Sequence, residues 1–210
     1  MPQLTERELN RLHDGREYRA LTMAARNDEM SVEGYATTFN QPYLLFEDTG
    51  FRVFEQVAPD AFTECDMTDV IMQYNHTGRV FARTRNGTLD LAPDATGLKI
   101  TAHLDGTDLG RQMYQEVKGG YTDKMSMGFR VAEDEVKETK DPTSGIVIVT
   151  RTILKISKLY DVSAVSIPAN DMTSISARML ADGVIEAAEA ERLRREKKRN
   201  QIKAMLEVYQ

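Results

Sequence analysis

The chain has 210 residues, 41% of them hydrophobic and 29% charged, the composition of an ordinary globular protein rather than a disordered one. Its net charge of −6 works against nucleic acid as a partner, because phosphate binding favours a basic surface. The longest apolar runs, such as residues 146–149, fall far short of the roughly 20 residues that span a bilayer, so no membrane is expected.

This length holds one core plus an extension. Residues 1–17 are polar and charged and read as a flexible leader without chemistry. The stretch from Met1 to Arg7 lacks the apolar run of a secretory signal, so the protein is expected to stay where it is made. The single cysteine, Cys65, can form no internal disulfide and has no cysteine partner for zinc. It is expected to be a half-buried filler in a reducing compartment.

Short strand-like runs begin at residue 18. Strands are expected over 19–25 and 31–39, the second from the alternation of Val32, Gly34 and Ala36 with Glu33, Tyr35 and Thr37. Gln41-Pro42 and Asp48-Thr49-Gly50 mark a loop, 51–57 another strand, and Pro59-Asp60-Ala61-Phe62 the opening of a short helix. Residues 70–74 form an apolar strand that runs into the turn cluster Asn75-His76-Thr77-Gly78. Asn86-Gly87, between 80–85 and 88–91, is a hairpin signal.

Leu98, Ile100, Ala102 and Leu104 alternate with polar residues as a half-exposed strand. Thr107-Asp108 caps a helix through Leu109, Met113 and Val117, which Gly119-Gly120 ends. A strand over 124–131 sends Met125, Met127 and Phe129 one way and Ser126, Gly128 and Arg130 the other. Residues 132–145 are charged and read as an exposed loop before a return strand over 146–156. Alternation resumes over 159–168, with Asp161, Ser163 and Val165 on one face, and a short helix follows from Met172. Residues 181–210 are rich in Ala, Glu, Arg and Lys without proline, and are expected to form an isolated charged helix. Short strands around one clear internal helix point to an α+β protein, a mainly antiparallel, partly closed β-barrel with covering helices and a helical C-terminal tail.

Three histidines are the whole supply of imidazole bases: His13 in the leader, His103 in mid-strand, and His76 in a tight turn at a strand end. They offer no metal-ligand spacing, so no metal and no organic cofactor are expected. Ser126 lacks the glycine two residues before it that a nucleophile elbow requires. It does have Gly128 two residues on, so that a substrate backbone can approach, with the N–H groups of Met127 and Gly128 as oxyanion donors. Asp161 is a carboxylate amid Leu159, Val162 and Val165, where it needs a partner such as His76 unless it is a surface residue on an edge strand.

Taken in order, Gly34-Tyr35-Ala36, Val57-Ala58-Pro59-Asp60-Ala61-Phe62, Tyr74-Asn75-His76, Arg83-Thr84 with Gly87-Thr88-Leu89, Met125-Ser126-Met127-Gly128-Phe129, and Asp161-Val162-Ser163 through Pro168-Ala169-Asn170 resemble the prohead maturation proteases of tailed phages. The resemblance covers about residues 18–180. It implies a fold related to the herpesvirus capsid-assembly protease and a serine endopeptidase that cleaves scaffold segments and capsid-protein extensions. By the same resemblance Ser126 is the nucleophile, His76 the base and Asp161 the orienting acid, a position where many relatives carry glutamate. The implied partners are a scaffolding protein and the major capsid protein, the implied location is the immature prohead in the host cytoplasm, and a homodimer is compatible with it.

A histidine base implies activity that rises with pH as imidazole sheds its proton. The rival readings are a non-catalytic scaffolding or capsid-assembly module of the same fold, and a Ser-Lys dyad using Lys124 or Lys155. A metal hydrolase is a more distant third. The tail is a candidate for docking onto scaffold helices or for removal by self-cleavage.

Overall fold

A computed structural model of the protein describes residues 17–26, 29–48, 50–166, 183–186, 188–190 and 192–200. The expectations for His13, for the rest of the leader and for a helix from Met172 lie outside them. The described chain is mostly strand with few helices, consistent with an α+β class, and its strand ladder does not close on itself. No helix among the described residues is long and apolar enough to cross a membrane. Two compact units divide the chain.

The first unit takes the described residues within 1–41, 56–134 and 152–172. Strand β1 (Glu17–Arg26) pairs antiparallel with β2 (Ser31–Thr38), which pairs with β8 (Gly97–His103), which pairs with β7 (Leu89–Pro93). On its other side β1 pairs with β9 (Lys124–Lys140), in a register that sets Ala20 opposite Ser126. Strand β5 (Ile71–Tyr74) runs parallel to the far end of β10 (Val147–Val165) and forms a hairpin with β6 (Thr77–Arg83). The expected alternation over 98–104 holds, with Leu98, Ile100, Ala102 and Leu104 all buried. They join Val32, Met125, Met127, Phe129, Leu159 and Val162 in one core. Truncating a fully buried aromatic such as Phe129 to alanine would cost about 3–5 kcal/mol.

Helix α1 (Asp108–Lys118) starts where the sequence places it. Thr107 Oγ1 accepts from the Gly110 N–H at 2.9 Å, satisfying one of the donors left open at a helix start. Met113, Tyr114 and Val117 are buried, and Tyr114 Oη donates to the Arg26 carbonyl at 3.1 Å. The chain leaves through Gly119 and Gly120, the latter at φ 73°.

The second unit takes the described residues within 42–55, 135–151 and 173–210. Strand β3 (Tyr43–Asp48) pairs antiparallel with β4 (Phe51–Val57), around a small core of Val53, Val149, Val184 and Ala188. Val184 and Ala188 belong to the helical tail residues, which therefore begin packed rather than as an isolated charged helix; 192–200 are helical and exposed. Inside this unit Arg151 Nη1 donates to Glu55 Oε2 at 2.9 Å, and Tyr43 Oη donates to Glu55 Oε1. Glu55 is fully buried, so these charge-assisted bonds are what make its ionised form tolerable.

Three local expectations fail for identifiable reasons. Residues 58–65 form separate i→i+3 turns, Ala61 to Ala58, Thr63 to Asp60 and Cys65 to Phe62, and never the consecutive bonds of a helix. The charged residues 132–140 continue β9 instead of looping, and only 141–146 turn. Cross-strand pairing makes this affordable to a charged strand, as where Lys155 Nζ lies 3.3 Å from Glu133 Oε2. Finally, Asn86-Gly87 does not join two paired strands, because β6 pairs with β5 and β7 with β8. Residues 84–86 form a 3-10 turn closed by Gly87 at φ 71°, which redirects the chain from one pairing to the other.

Candidate active site

His76 is carried by the two-residue turn between β5 and β6. Tyr74 pairs with Thr77, so Asn75 and His76 are the two central residues of the β5–β6 hairpin. Both have positive φ, 48° and 57°, the signature of a type I′ turn. Asparagine and histidine are among the residues most tolerated in this region, at a cost of about 1–2 kcal/mol that the surroundings must offset. At the base of the hairpin Arg83 forks onto Asp69, Nε to Oδ1 at 2.5 Å and Nη2 to Oδ2 at 2.6 Å. The Arg83 guanidinium holds the Asp69 carboxyl below the usual carboxylate range. Beside it Thr84 Oγ1 accepts from the Val70 N–H at 2.9 Å, and Thr88 Oγ1 from the Arg83 N–H at 2.9 Å. The Arg83-Thr84 and Thr88 positions singled out in the sequence thus tie down the hairpin that presents His76.

Ser126 sits in β9 between strands β1 and β10, and is only 1% exposed. Met127 and Gly128, the expected oxyanion and approach residues, are buried on the same strand. Asp161 lies on β10, opposite Ile71 of β5, and is also 1% exposed. That strand has neighbours on both sides, so Asp161 is not the surface residue of an edge strand that was one alternative.

The three side chains meet. His76 Nε2 lies 2.8 Å from Ser126 Oγ, and His76 Nδ1 lies 2.5 Å from Asp161 Oδ1. A carboxylate oxygen only accepts, so Nδ1 carries its hydrogen toward Asp161 and Nε2 is left to accept the Ser126 hydroxyl proton. Of the three, the imidazole side chain has the most open surface, 16% against 2% for that of Asp161. The site sets a partly exposed imidazole over a buried carboxylate, with the hydroxyl at its other nitrogen.

The lysines weighed as alternative bases are engaged elsewhere. Lys124 Nζ is 3.4 Å from Asp123 Oδ2, and Lys155 pairs with Glu133. His103 Nε2 lies 3.4 Å from Asp90 Oδ2 with about a third of its side chain exposed, an outer-face pairing remote in kind from the Ser126 arrangement. Among the described residues no group of three His, Cys, Asp or Glu side chains could hold a metal.

Two further residues belong to the site, and reading the sequence did not find them. Ser163 is fully buried and donates from Oγ to Asp161 Oδ1 at 2.6 Å. Ser166 bonds the Asn75 side chain, with its N–H donating to Asn75 Oδ1 at 3.0 Å. The signal for Ser163 was present, since strand alternation puts it on the Asp161 face. For Ser166 there was none, because its partner lies 91 positions away.

No curated protein and no solved structure matches the chain. A family model does, that of the caudovirus prohead serine protease, over residues 17–185. That span contains every residue of the hydroxyl, imidazole and carboxylate arrangement and both strands that frame it. The chain belongs to the caudovirus prohead serine protease family.

Proposed function

We propose that the protein is a serine endopeptidase that cleaves scaffold segments and capsid-protein extensions during prohead maturation, with Ser126 as nucleophile, His76 as base and Asp161 as orienting acid. The observation that carries the reading is the continuous chain from Ser126 Oγ through both imidazole nitrogens to Asp161 Oδ1, at 2.8 and 2.5 Å. Family membership supports the proteolytic role in capsid maturation.

In this reading His76 Nε2 takes the Ser126 hydroxyl proton as Oγ bonds to the substrate carbonyl carbon. The proton then passes to the amide nitrogen as the carbon–nitrogen bond breaks, releasing the amine and leaving an acyl-enzyme. Water then gives a proton to Nε2 as its oxygen bonds to the acyl carbon, and that proton passes to Ser126 Oγ as the carbon–Oγ bond breaks and the acid product leaves. Asp161 holds the tautomer throughout and stabilises the imidazolium. Met127 and Gly128 complete the reading as backbone for the approaching carbonyl and its oxyanion. Strand β9 has a partner on each side, so a donor from either residue would have to leave a ladder bond to serve there.

The partners are flexible scaffold chains and the major capsid protein, met inside the immature shell in the host cytoplasm. Extended segments of such substrates suit strand addition to a free sheet edge. The reading carries with it a fold kinship with the herpesvirus capsid-assembly protease.

The test is mass spectrometry of scaffold and capsid fragments from shells co-expressed with wild-type or Ser126→Ala protein. Wild type is expected to process both, and Ser126→Ala or His76→Ala to lower cleavage by roughly 10⁴–10⁶. Unchanged processing with Ser126→Ala would overturn the enzyme reading in favour of a binding module that keeps the fold.

A further inference from the structure

The geometry points to Ser163 as a fourth, positioning member of the site, one that acts on the reaction through Asp161. This inference rests on the proposed roles of Ser126, His76 and Asp161.

Asp161 Oδ1 receives two donors, His76 Nδ1 at 2.5 Å and Ser163 Oγ at 2.6 Å. The second bond joins residues two apart on one strand, which point to the same face of β10. Ser163 is fully buried and the Asp161 side chain is 2% exposed, so little water is at hand to replace the hydroxyl. An aspartate side chain turns about two bonds, and a single contact with a mobile ring would leave that rotation weakly restrained. The bond from Ser163 pins Oδ1 from the strand itself, independently of the imidazole. The carboxylate is then already aimed when His76 takes up the Ser126 proton, and need not reorganise as imidazolium forms. Ser163 bonds the carboxylate, so its influence runs by way of Asp161.

This makes a sharp separation between rate and binding. Because Ser163 is buried beneath the acid, its loss should leave substrate affinity alone and slow the chemical steps. Ser163→Ala removes the donor. Ser163→Thr keeps a hydroxyl on a side chain suited to a strand, and Ser163→Cys keeps the size of the side chain with a much weaker donor.

The experiment measures kcat and KM of full-length wild type, Ser163→Ala, Ser163→Thr and Ser163→Cys on one peptide from a wild-type cleavage site. Thermal melting and the downfield imidazole N–H proton resonance are followed in the same samples. The expected result is a fall in kcat of about 10- to 100-fold for Ala and Cys at unchanged KM, a displaced N–H resonance, and recovery toward wild type in Thr. Wild-type kcat in Ser163→Ala, or a rise in KM alone, overturns the inference. Loss of folding in all three variants also overturns it, since Ser163 would then serve the core. Ser126→Ala run alongside separates the two claims: if it cleaves like wild type, the enzyme reading fails, whereas an inactive Ser126→Ala beside a fully active Ser163→Ala sinks only the role of Ser163.

Discussion

Asn75 and Ser166, 91 positions apart, hold each other through two reciprocal bonds, Ser166 N–H to Asn75 Oδ1 at 3.0 Å and Asn75 Nδ2 to Ser166 Oγ at 3.3 Å. The Asn75 N–H adds a third tether, to the Ala164 carbonyl at 2.8 Å. The turn that carries His76 is thereby moored to the end of β10, just beyond Asp161, and the strain of two left-handed residues is held in place.

Asn75→Ala should therefore cost about 2 kcal/mol, by losing both side-chain bonds and leaving alanine at φ 48°. It should also lower cleavage at least tenfold, as the imidazole loses its placement over Ser126. Asn75→Gly, which accepts the same φ, should regain part of the stability and little of the activity. Thermal unfolding and peptide cleavage of the two variants check this, and an Asn75→Ala protein that melts and cleaves like wild type would refute it.

In the second unit, Glu55 and Arg151 make a buried pair that is worth more intact than either half. Arg151→Met takes the guanidinium away from a fully buried carboxylate, and should destabilise the protein by about 3–5 kcal/mol. The double variant Glu55→Gln, Arg151→Met should recover much of that loss. Urea unfolding of the single and double variants reads the difference directly, and equal midpoints for the two would count against it.

Acid should weaken the fold through its paired carboxylates. Lys158 donates to Asp66 at 2.8 Å and Thr68 donates twice, from N at 3.1 Å and from Oγ1 at 2.7 Å. Lys158 first, and Thr68 after it, hold the Asp66 carboxyl well below the usual carboxylate range. Asp94, held by Tyr35, and Asp141, held by Ser144 and Thr143, are lowered as well. A carboxyl with a depressed folded-state pKa stabilises the fold above its unfolded pKa, and that contribution is lost as pH falls through the folded value. Melting temperature should thus hold steady above about pH 5 and decline from about pH 4 downward. Asp66→Asn should differ from wild type most at neutral pH and converge with it in acid; a gap that is the same at every pH would contradict the assignment.

Cys65 is expected to be chemically quiet. Burial pushes its thiol up to about 11, so at neutral pH almost none of it is thiolate, the reactive form. Alkylation by iodoacetamide should be far slower than for a free cysteine at pH 8 and accelerate only toward that alkaline value. Cys65→Ala should retain full protease activity. Rapid labelling of the native protein at neutral pH would show that the thiol is not held as described.

Much of the arrangement was legible where local chemistry decides it. The alternation of 98–104, the Thr107 cap and the Asn75-His76 turn are each written within a few residues, and the structure forms all three. What escaped the sequence depends on distant partners. Strand β3 was read as loop because its Pro42 and Gly50 flanks outweigh the short run Tyr43 to Phe46, yet pairing with β4 extends it. Residues 132–140 looked too charged for a strand, and the partner of Glu133, Lys155, lies far along the chain on β10. Asn86-Gly87 bends as expected, but no local signal says that the strands it separates have other mates. At the site itself the residue types were visible, whereas Ser166 gains its meaning only from Asn75.

The parallel seam between β5 and β10 joins Ile71 to Asp161, 90 positions further along the chain. That seam closes across nearly the whole central length of the chain, so a nascent or truncated polypeptide that ends before residue 161 holds the turn and the hydroxyl without their acid. Under the proposed roles, such a chain is expected to be without cutting power until β10 has been made.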